Sequence, residues 1–417
     1  MRRRVLPALA AALLAASLGA CSTKQPSPTT TQGEPIVIGS TLPLTGAFAA
    51  TGIIHKIAGE EFIDRLNANG GLLGRPVQWR LLDDQSNTAN IDTLYEQLLS
   101  GPDPVDLIIG PYATPNILAA MAVAQRHSKI MPYHTAVLRP QLTYPCAFPG
   151  WSIGANPNKF IPEQLFDLVA TLPNPPKRIA IATVQNGSAA FVTDGFPTAG
   201  DTTGVPTVAA DRGLQVVLNE HYAIGTTNFD DLAQKVKNAN PDLFISNSLG
   251  VDTVNQLNAM KTIGYTPPLT FSLFPAPGPL LGLNQNGILA WSLFEDNQPV
   301  IDRIGGDAQS IVDEFRRRAD EANVAYKEFE TQAAASWNAW QILIDGVKGA
   351  NSLDDQKVCD WLHTNGADTT FSGHLAFDPA QNNFWDTTLG IKQIQDGKWV
   401  LVWPSNMAAA PIQAPQG

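Results

Sequence analysis

The stretch IVIGSTLPLTGAFAATGIIHKIAGEEFIDRLNANGG, residues 36–71, carries the pattern that decides the fold. Ile36-Val37-Ile38-Gly39 is a short β-rich run. After a Gly-rich turn, Ile54, Ala58, Phe62 and Leu66 recur every four residues as a helical stripe, and Asn69-Gly70-Gly71 stops the helix. The same unit repeats outward from here. Val77 to Leu82 reads as a strand, Asn87 to Leu99 as a helix, Asp106 to Gly110 as a strand, Pro115 to His127 as a helix and Ile130 to Tyr133 as extended chain. The rhythm resumes at Arg178 to Ala182, Leu214 to Tyr222 and Asp242 to Ser246, with helices at 228–238 and 250–263. Such alternation predicts parallel sheets covered by helices on both faces. The Pro-, Gly- and Trp-rich segment 145–157 divides it into two α/β lobes. After about residue 290 long helices are expected at 308–322 and 328–349, a shorter one at 353–364, and strands near 371–377, 387–394 and 398–403. These are too few strands for a third domain, so the region completes the two lobes.

Composition supports a packed body. Of 417 residues 44% are hydrophobic and 16% charged, which excludes disorder and a small disulfide scaffold. A net charge of −11 argues against a nucleic-acid surface. No apolar run beyond the N-terminus approaches the roughly 20 residues that span a bilayer.

Residues 1–20 read as a lipoprotein signal peptide: Arg2, Arg3 and Arg4, then an apolar stretch, then Leu18-Gly19-Ala20 before Cys21. This resembles the bacterial lipobox, which makes Cys21 the lipidation site; ordinary cleavage leaving a free cysteine is the alternative. Loss of the three arginines takes the net charge from −11 to −14, so anionic headgroups would repel the body and the lipid is the anchor. Residues 21–35 contain nothing that packs and form a tether of roughly 20 Å r.m.s. length. Cys146 and Cys359 either bond to each other or are separate buried thiols; spacing does not decide.

Catalytic motifs are largely absent. The chain has no GxGxxG after the first strand, no GxxxxGK[ST], no HExxH and no GxSxG, and its six histidines show no ligand spacing. No metal, cofactor or enzymatic activity is expected, although a Ser/His/Asp triad assembled only in space stays open. Asp83-Asp84 and Asp230-Asp231 read as caps or solvated groups. Three turns at the carboxyl ends of strands stand out, because open α/β sheets bind ligands there. They are Thr45 to Gly52, Gly110 to Pro115 with Pro115 at the first helical position, and His134-Thr135-Ala136-Val137. Trp337 and Trp340 share a helix face and read as core.

The chain resembles the branched-chain amino-acid-binding proteins of ABC importers, the Leu/Ile/Val-binding family. The matching stretches are IVIGSTLPLTGAFAATG, AGEEFIDRLNANGGLLGRPVQWRLLDDQSN, VDLIIGPYATPNILAAMAVAQRHSKIMPY and FDDLAQKVKNANPDLFISNSLGVDTVNQLNAMKTIGY. The resemblance implies a type I periplasmic-binding fold: two doubly wound parallel-sheet lobes joined by a three-segment hinge, with crossovers near 148–153, 290–295 and 391–395. Residues 36–149 and 294–390 would form the first lobe, 150–293 and 391–405 the second, and 406–417 a tail. It also implies ligand capture in the cleft and delivery to a permease powered by ATPase subunits, by a monomer that touches the membrane through its lipid and binds no nucleic acid. Two other functions stay open, a sensor presenting its ligand to a receptor and a surface hydrolase.

Carried over residue by residue, Thr114 falls at the family's carboxylate-binding Ser, with Tyr112 and Ala113 beside it. Thr135, Ala136 and Val137 form the third turn, and Leu138 replaces a family Thr. Phe48 and Thr51 fall at the first turn, and Phe191, Leu249 and Phe271 on the second lobe. The ammonium-binding acid is missing: Thr270-Phe271-Ser272-Leu273 contains no Asp or Glu, with Glu295 and Asp296 as alternative acids. An uncompensated buried ammonium is costly. The expected ligand is therefore a small carboxylate, amide or similar metabolite without an α-ammonium. Segment 194–212 is expected to be a loop at the cleft edge.

Overall fold

A computed structural model describes residues 33–46, 48–135, 137–138, 141–154, 156–275, 277–381, 383 and 389–414. The signal peptide, Cys21 and Ala136 lie outside them. In the first half, strands β1 (Ile36–Leu42), β2 (Val77–Asp83), β3 (Leu107–Ile108), β4 (Met131–Tyr133) and β5 (Ala147–Pro149) alternate with helices α1 (Ala49–Ala68), α2 (Ile91–Ser100) and α3 (Thr114–Arg126). Strand β1 pairs in parallel with β2 and β3, β4 pairs in parallel with β5, and a bridge from Gly110 to Tyr133 connects the two groups. Apolar residues set this arrangement. Ile36, Ile38, Leu107 and Ile108 are wholly buried, as expected for strands covered on both faces.

The chain then passes into a second sheet. It contains β6 (Arg178–Val184), β7 (Gln215–Tyr222), β8 (Leu243–Gly250), β9 (Leu269–Pro275) and β10 (Leu289–Ser292), among α4 (Pro157–Val169), α5 (Gly187–Asp194), α6 (Val205–Asp211), α7 (Asp230–Ala239), α8 (Asp252–Thr262) and α9 (Pro277–Leu281). It leaves through α10 (Gln298–Ile304). Helices α11 (Ala308–Glu321), α12 (Thr331–Ala350) and α13 (Asp355–Asn365) follow, with α11 and α12 on α1 and α12 also against β4 and β5. After the hairpin β11 (Ala367–Thr369) and β12 (Gly373–Leu375) it returns to the second sheet as β13 (Gly390–Gln395) and β14 (Lys398–Trp403).

The second sheet runs β14-β13-β10-β9-β8-β6-β7. Its β6 to β10 core is parallel, but β13 lies antiparallel to β10 and β14 antiparallel to β13. The expectation of purely parallel lobes therefore holds for the core and not for this edge. The chain arrives at β13, beside β10, from the other lobe instead of through a right-handed βαβ crossover, and a tight turn at Asp396-Gly397 folds it back into β14.

Trp337 and Trp340 are core residues: Phe62 lies edge-on to Trp337 at 5.1 Å, and Trp79 lies edge-on to Trp340 at 5.1 Å. Cys146 and Cys359 form a disulfide that fastens the loop before β5 to α13. Segment 194–212, expected as a loop, is a bridge between Phe196 and Asp201, a single 3₁₀ turn at Pro197–Ala199, and α6. No helix among the described residues is long and apolar enough to cross a membrane.

Candidate functional site

The first-turn loop is built by an acid that the sequence suggested was a cap. Asp83 Oδ1 accepts the N–H groups of Leu44, Thr45 and Gln85 at 2.8–3.2 Å, and Oδ2 accepts the Thr45 hydroxyl at 2.7 Å. Desolvation opposes ionisation here, but these hydrogen bonds outweigh it and hold the carboxyl below its ordinary range. The loop delivers the chain to α1 so closely that a Cβ on Gly52 would lie 2.1 Å from the Pro43 carbonyl oxygen. Only glycine fits there.

That approach sets Phe48 and Thr51 beside the second turn. The Phe48 ring, 41% exposed, meets Tyr112 edge-on at 6.1 Å, and the Thr51 hydroxyl shares a hydrogen bond with the Tyr112 hydroxyl. Burial, with the Glu330 charge adding to it, pushes the Tyr112 hydroxyl up to about 12. Ala113 follows with φ 74°, a left-handed conformation that is uncommon outside glycine. Thr114 opens α3, one residue earlier than Pro115. The third turn places Thr135 and Val137 in nearly full burial after β4.

Two histidines join these residues. His55, nearly two turns into α1, is fully buried 5.0 Å from the Tyr112 ring and 4.9 Å from the ring of His134, which is also fully buried. His55 Nε2 donates to Gln332 Oε1 on α12 at 3.2 Å. Its Nδ1 and both ring nitrogens of His134 have no partner among the described residues. Burial lowers the His55 pKa to about 3 against the opposing Gln332 bond, and burial with the His55 charge lowers that of His134 well below its usual value. Both rings are neutral at pH 7.

On the second sheet, Leu249 ends β8 half-buried and pairs in register with Phe274. Phe274 meets Trp151, on the crossover after β5, edge-on at 6.2 Å. Phe271 lies three residues back from Phe274, 1% exposed within the core, and Phe191 is 3% exposed in a parallel stack on Phe196 at 5.9 Å. Thr270 and Ser272 face α8. Ser272 Oγ bonds Thr253 Oγ1 at 2.7 Å within a buried hydroxyl network that includes Ser246 and Ser248. Strand β9 carries no acid. Glu295 and Asp296 are both committed elsewhere, Glu295 to Lys392 at 2.5 Å and Asp296 to Arg316 at 2.7 Å.

The structure thus brings Phe48, Thr51, Tyr112, Ala113 and Thr114 together at one rim, with Thr135 and Val137 at the end of β4 nearby. Leu249 stands at the second sheet's strand ends. Phe271 is buried within that sheet and Phe191, on α5, is buried against Phe196. Sequence reasoning missed His55, Trp151 and Phe274 and gave His134 no role. A signal for Phe274 lay in strand parity: the residue next to the β9 end reaches a neighbour that one in mid-strand does not. Among the described residues no cluster of three or more metal-ligating side chains occurs.

A family model described as "Periplasmic binding protein" matches residues 35–398. Among solved structures, the chain is similar to a leucine binding protein from Thermotoga maritima, at 16% identity over 88% of this chain and 97% of that one, with a TM-score of 0.69. It is similar to a branched-chain amino acid transporter substrate binding protein from Streptococcus pneumoniae, solved in complex with isoleucine, at 18% identity, 88% and 98% coverage and TM-score 0.69. A solute binding protein of an ABC transporter from Rhodopseudomonas palustris, in complex with benzoate, matches at 17% identity, 92% and 98% coverage and TM-score 0.68. At these identities the structures establish the fold.

Proposed function

This chain belongs to the periplasmic binding protein family, and from that premise we propose that it is the solute receptor of an ABC importer. It would hold a small carboxylate or amide lacking an α-ammonium between its two lobes and hand it to a permease. The observation that carries this reading is the asymmetry of the candidate site. Thr51, Tyr112, Thr114 and Thr135 supply hydroxyls at the carboxyl ends of the first sheet and at helix starts, where backbone N–H groups and the helix dipole favour a carboxylate. On the second sheet Leu249 and Phe274, with Trp151 packed on Phe274, are apolar, and β9 has no acid to neutralise an ammonium. Hinge closure about the crossovers would bury the ligand against that surface; periplasmic binding proteins are among the standard examples of this motion.

Export and anchoring belong to the same proposal: removal of residues 1–20, lipid on Cys21, and a tether to residue 35. The Cys146–Cys359 disulfide supports an oxidising compartment. Calorimetric titration with leucine, isoleucine and valine beside benzoate and hexanoate tests the ligand class. Carboxylates are expected to bind and the amino acids not to; tight binding of leucine overturns the reading. Mass spectrometry of the membrane-extracted protein tests the anchor, with acyl mass on Cys21 expected and its absence refuting it.

A further inference from the structure

Two fully buried histidines with three ring nitrogens that find no partner among the described residues are an expensive arrangement, since a buried polar atom loses its hydration without replacement. His55 comes from α1 and His134 from the end of β4, and three of their four ring nitrogens are unpaired among the described residues. They lie beside Tyr112, within the rim proposed above to meet the ligand. Among the described residues no group hydrogen-bonds the three remaining nitrogens. The neighbouring hydrogen bonds, from the Ser336 hydroxyl to the His55 carbonyl and from His55 Nε2 to Gln332, hold His55 in place without occupying Nδ1.

The protonation state determines what the pair can receive. The titratable group against the pair is the Tyr112 hydroxyl from the turn before α3; the Glu330 carboxyl at the head of α12 accepts the Gln332 N–H at 3.0 Å and acts on Tyr112. Neither makes a hydrogen bond to either ring, and both rings are neutral. With Gln332 Oε1 facing it, His55 Nε2 keeps its hydrogen, so Nδ1 is a bare acceptor. Neutral His134 has one donor and one acceptor. Two acceptors and one donor match a group that both donates and accepts, which a bare carboxylate does not do.

We propose that His55 and His134 together receive a hydroxyl group of the ligand, its O–H donating to His55 Nδ1 and its oxygen accepting from the His134 ring N–H. The inference rests on the cleft reading above and narrows it to hydroxylated carboxylates.

The experiment compares matched pairs by calorimetry: 3- and 4-hydroxybenzoate beside benzoate, and 6-hydroxyhexanoate beside hexanoate, from pH 6 to 8. At least one hydroxylated compound is expected to bind the wild-type protein about tenfold or more tightly than its parent, the size of one well-made hydrogen bond. The ratio is expected to stay flat with pH. His55→Leu and His134→Leu are each expected to bring that ratio near one and to leave the melting temperature of the ligand-free protein level or higher. Equal affinity within every pair overturns the proposal, as does a preference that survives in both variants. Parent-acid binding that strengthens steeply on acidification also overturns it, because the rings would then act as imidazolium. If benzoate or hexanoate binds without a hydroxyl preference, only this inference fails. If none of the five compounds binds, the ligand class of the preceding subsection fails with it. The wild-type comparison decides the matter even if a variant does not fold.

Discussion

Glu61 lies on α1 with no exposed surface; its Oε1 accepts from Arg65 Nε at 2.7 Å and its Oε2 has no partner among the described residues. Burial raises its pKa to about 7 from 4.5, with Arg65 opposing. The folded chain therefore holds a proton that the unfolded chain releases at lower pH. The contribution to stability is full below about pH 4.5 and is lost as pH rises through 7, by up to about 3 kcal/mol. Glu61→Gln, which keeps the acceptor for Arg65, is expected to raise the melting temperature clearly at pH 8 and little at pH 5. Circular-dichroism melts at both values test this, and an equal shift at each pH refutes it. This burial was not legible in the sequence, because Glu61 lies at the edge of the Ile54, Ala58, Phe62, Leu66 stripe, seven residues after Ile54, where a carboxylate ordinarily marks the border with solvent. It is covered by α11, which is joined to α1 through Arg318–Asp64 at 2.9 Å and Arg65–Ser310. The site shows the same divide. Thr51, Tyr112 and Thr135 could be found because strand-end turns position them. The histidine pair could not, because it joins elements distant in sequence that meet only through the sheet.

At the scale of elements, α1 and α12 approach so closely that a Cβ on Gly59 would lie 2.7 Å from Trp340 Nε1 and 2.8 Å from the Trp79 ring. Alanine would improve helix propensity by about 1 kcal/mol, but forcing indoles apart in a packed core costs about 1–3 kcal/mol. Gly59→Ala is therefore expected to lower the melting temperature; a rise would mean that the rings yield freely. The disulfide acts between elements too. Its cysteines are 213 residues apart, and for a loop that long the chain-entropy account gives about 5 kcal/mol. Reduction, or Cys359→Ser, is expected to lower the unfolding free energy from urea melts by a similar amount, and no change would place the stabilisation elsewhere. Long periodic elements were legible: α1, α11, α12 and β6 to β8 stand where the apolar spacing predicts. Short ones were not. Strand β5 sits in the Pro-rich segment that read as a boundary. The hairpin β11–β12 uses ADT and GHL, which show no alternation of apolar and polar residues, so the reading at 371–377 became one strand instead of two.

Across the whole molecule, the second passage between the sheets is clamped by buried charge. Lys392 on β13 is 2.5 Å from Glu295, which follows β10, and 3.9 Å from Glu330 at the head of α12, with its ammonium 4.8 Å above the Trp399 ring. Ser292 donates to Glu295 at 2.8 Å, and the Leu293 N–H donates to Thr331 Oγ1 at 2.9 Å. One lysine thus holds the exit from β10, the re-entry at β13 and the helix that lies on the first sheet. No sequence pattern shows this triad, although the alternation that makes the two lobes was plain. Burial, partly offset by the Lys392 charge, raises Glu330 to about 7, so it is largely protonated at pH 5 and substantially ionised at pH 8. Lys392→Met removes the only cation in the triad and leaves two buried acids. Breaking a buried pair on one side costs about 3–5 kcal/mol when the remaining charge persists. At pH 5 a proton can replace the lysine on Glu330, because burial already favours its neutral form there; at pH 8 the same protonation costs more. The loss on Lys392→Met is accordingly expected to be several-fold larger at pH 8 than at pH 5 in urea unfolding, and adding Glu295→Gln and Glu330→Gln is expected to recover most of it. A loss that is the same at both pH values, or that the two glutamines leave intact, would mean that Lys392 acts through packing on Trp399 and not through charge.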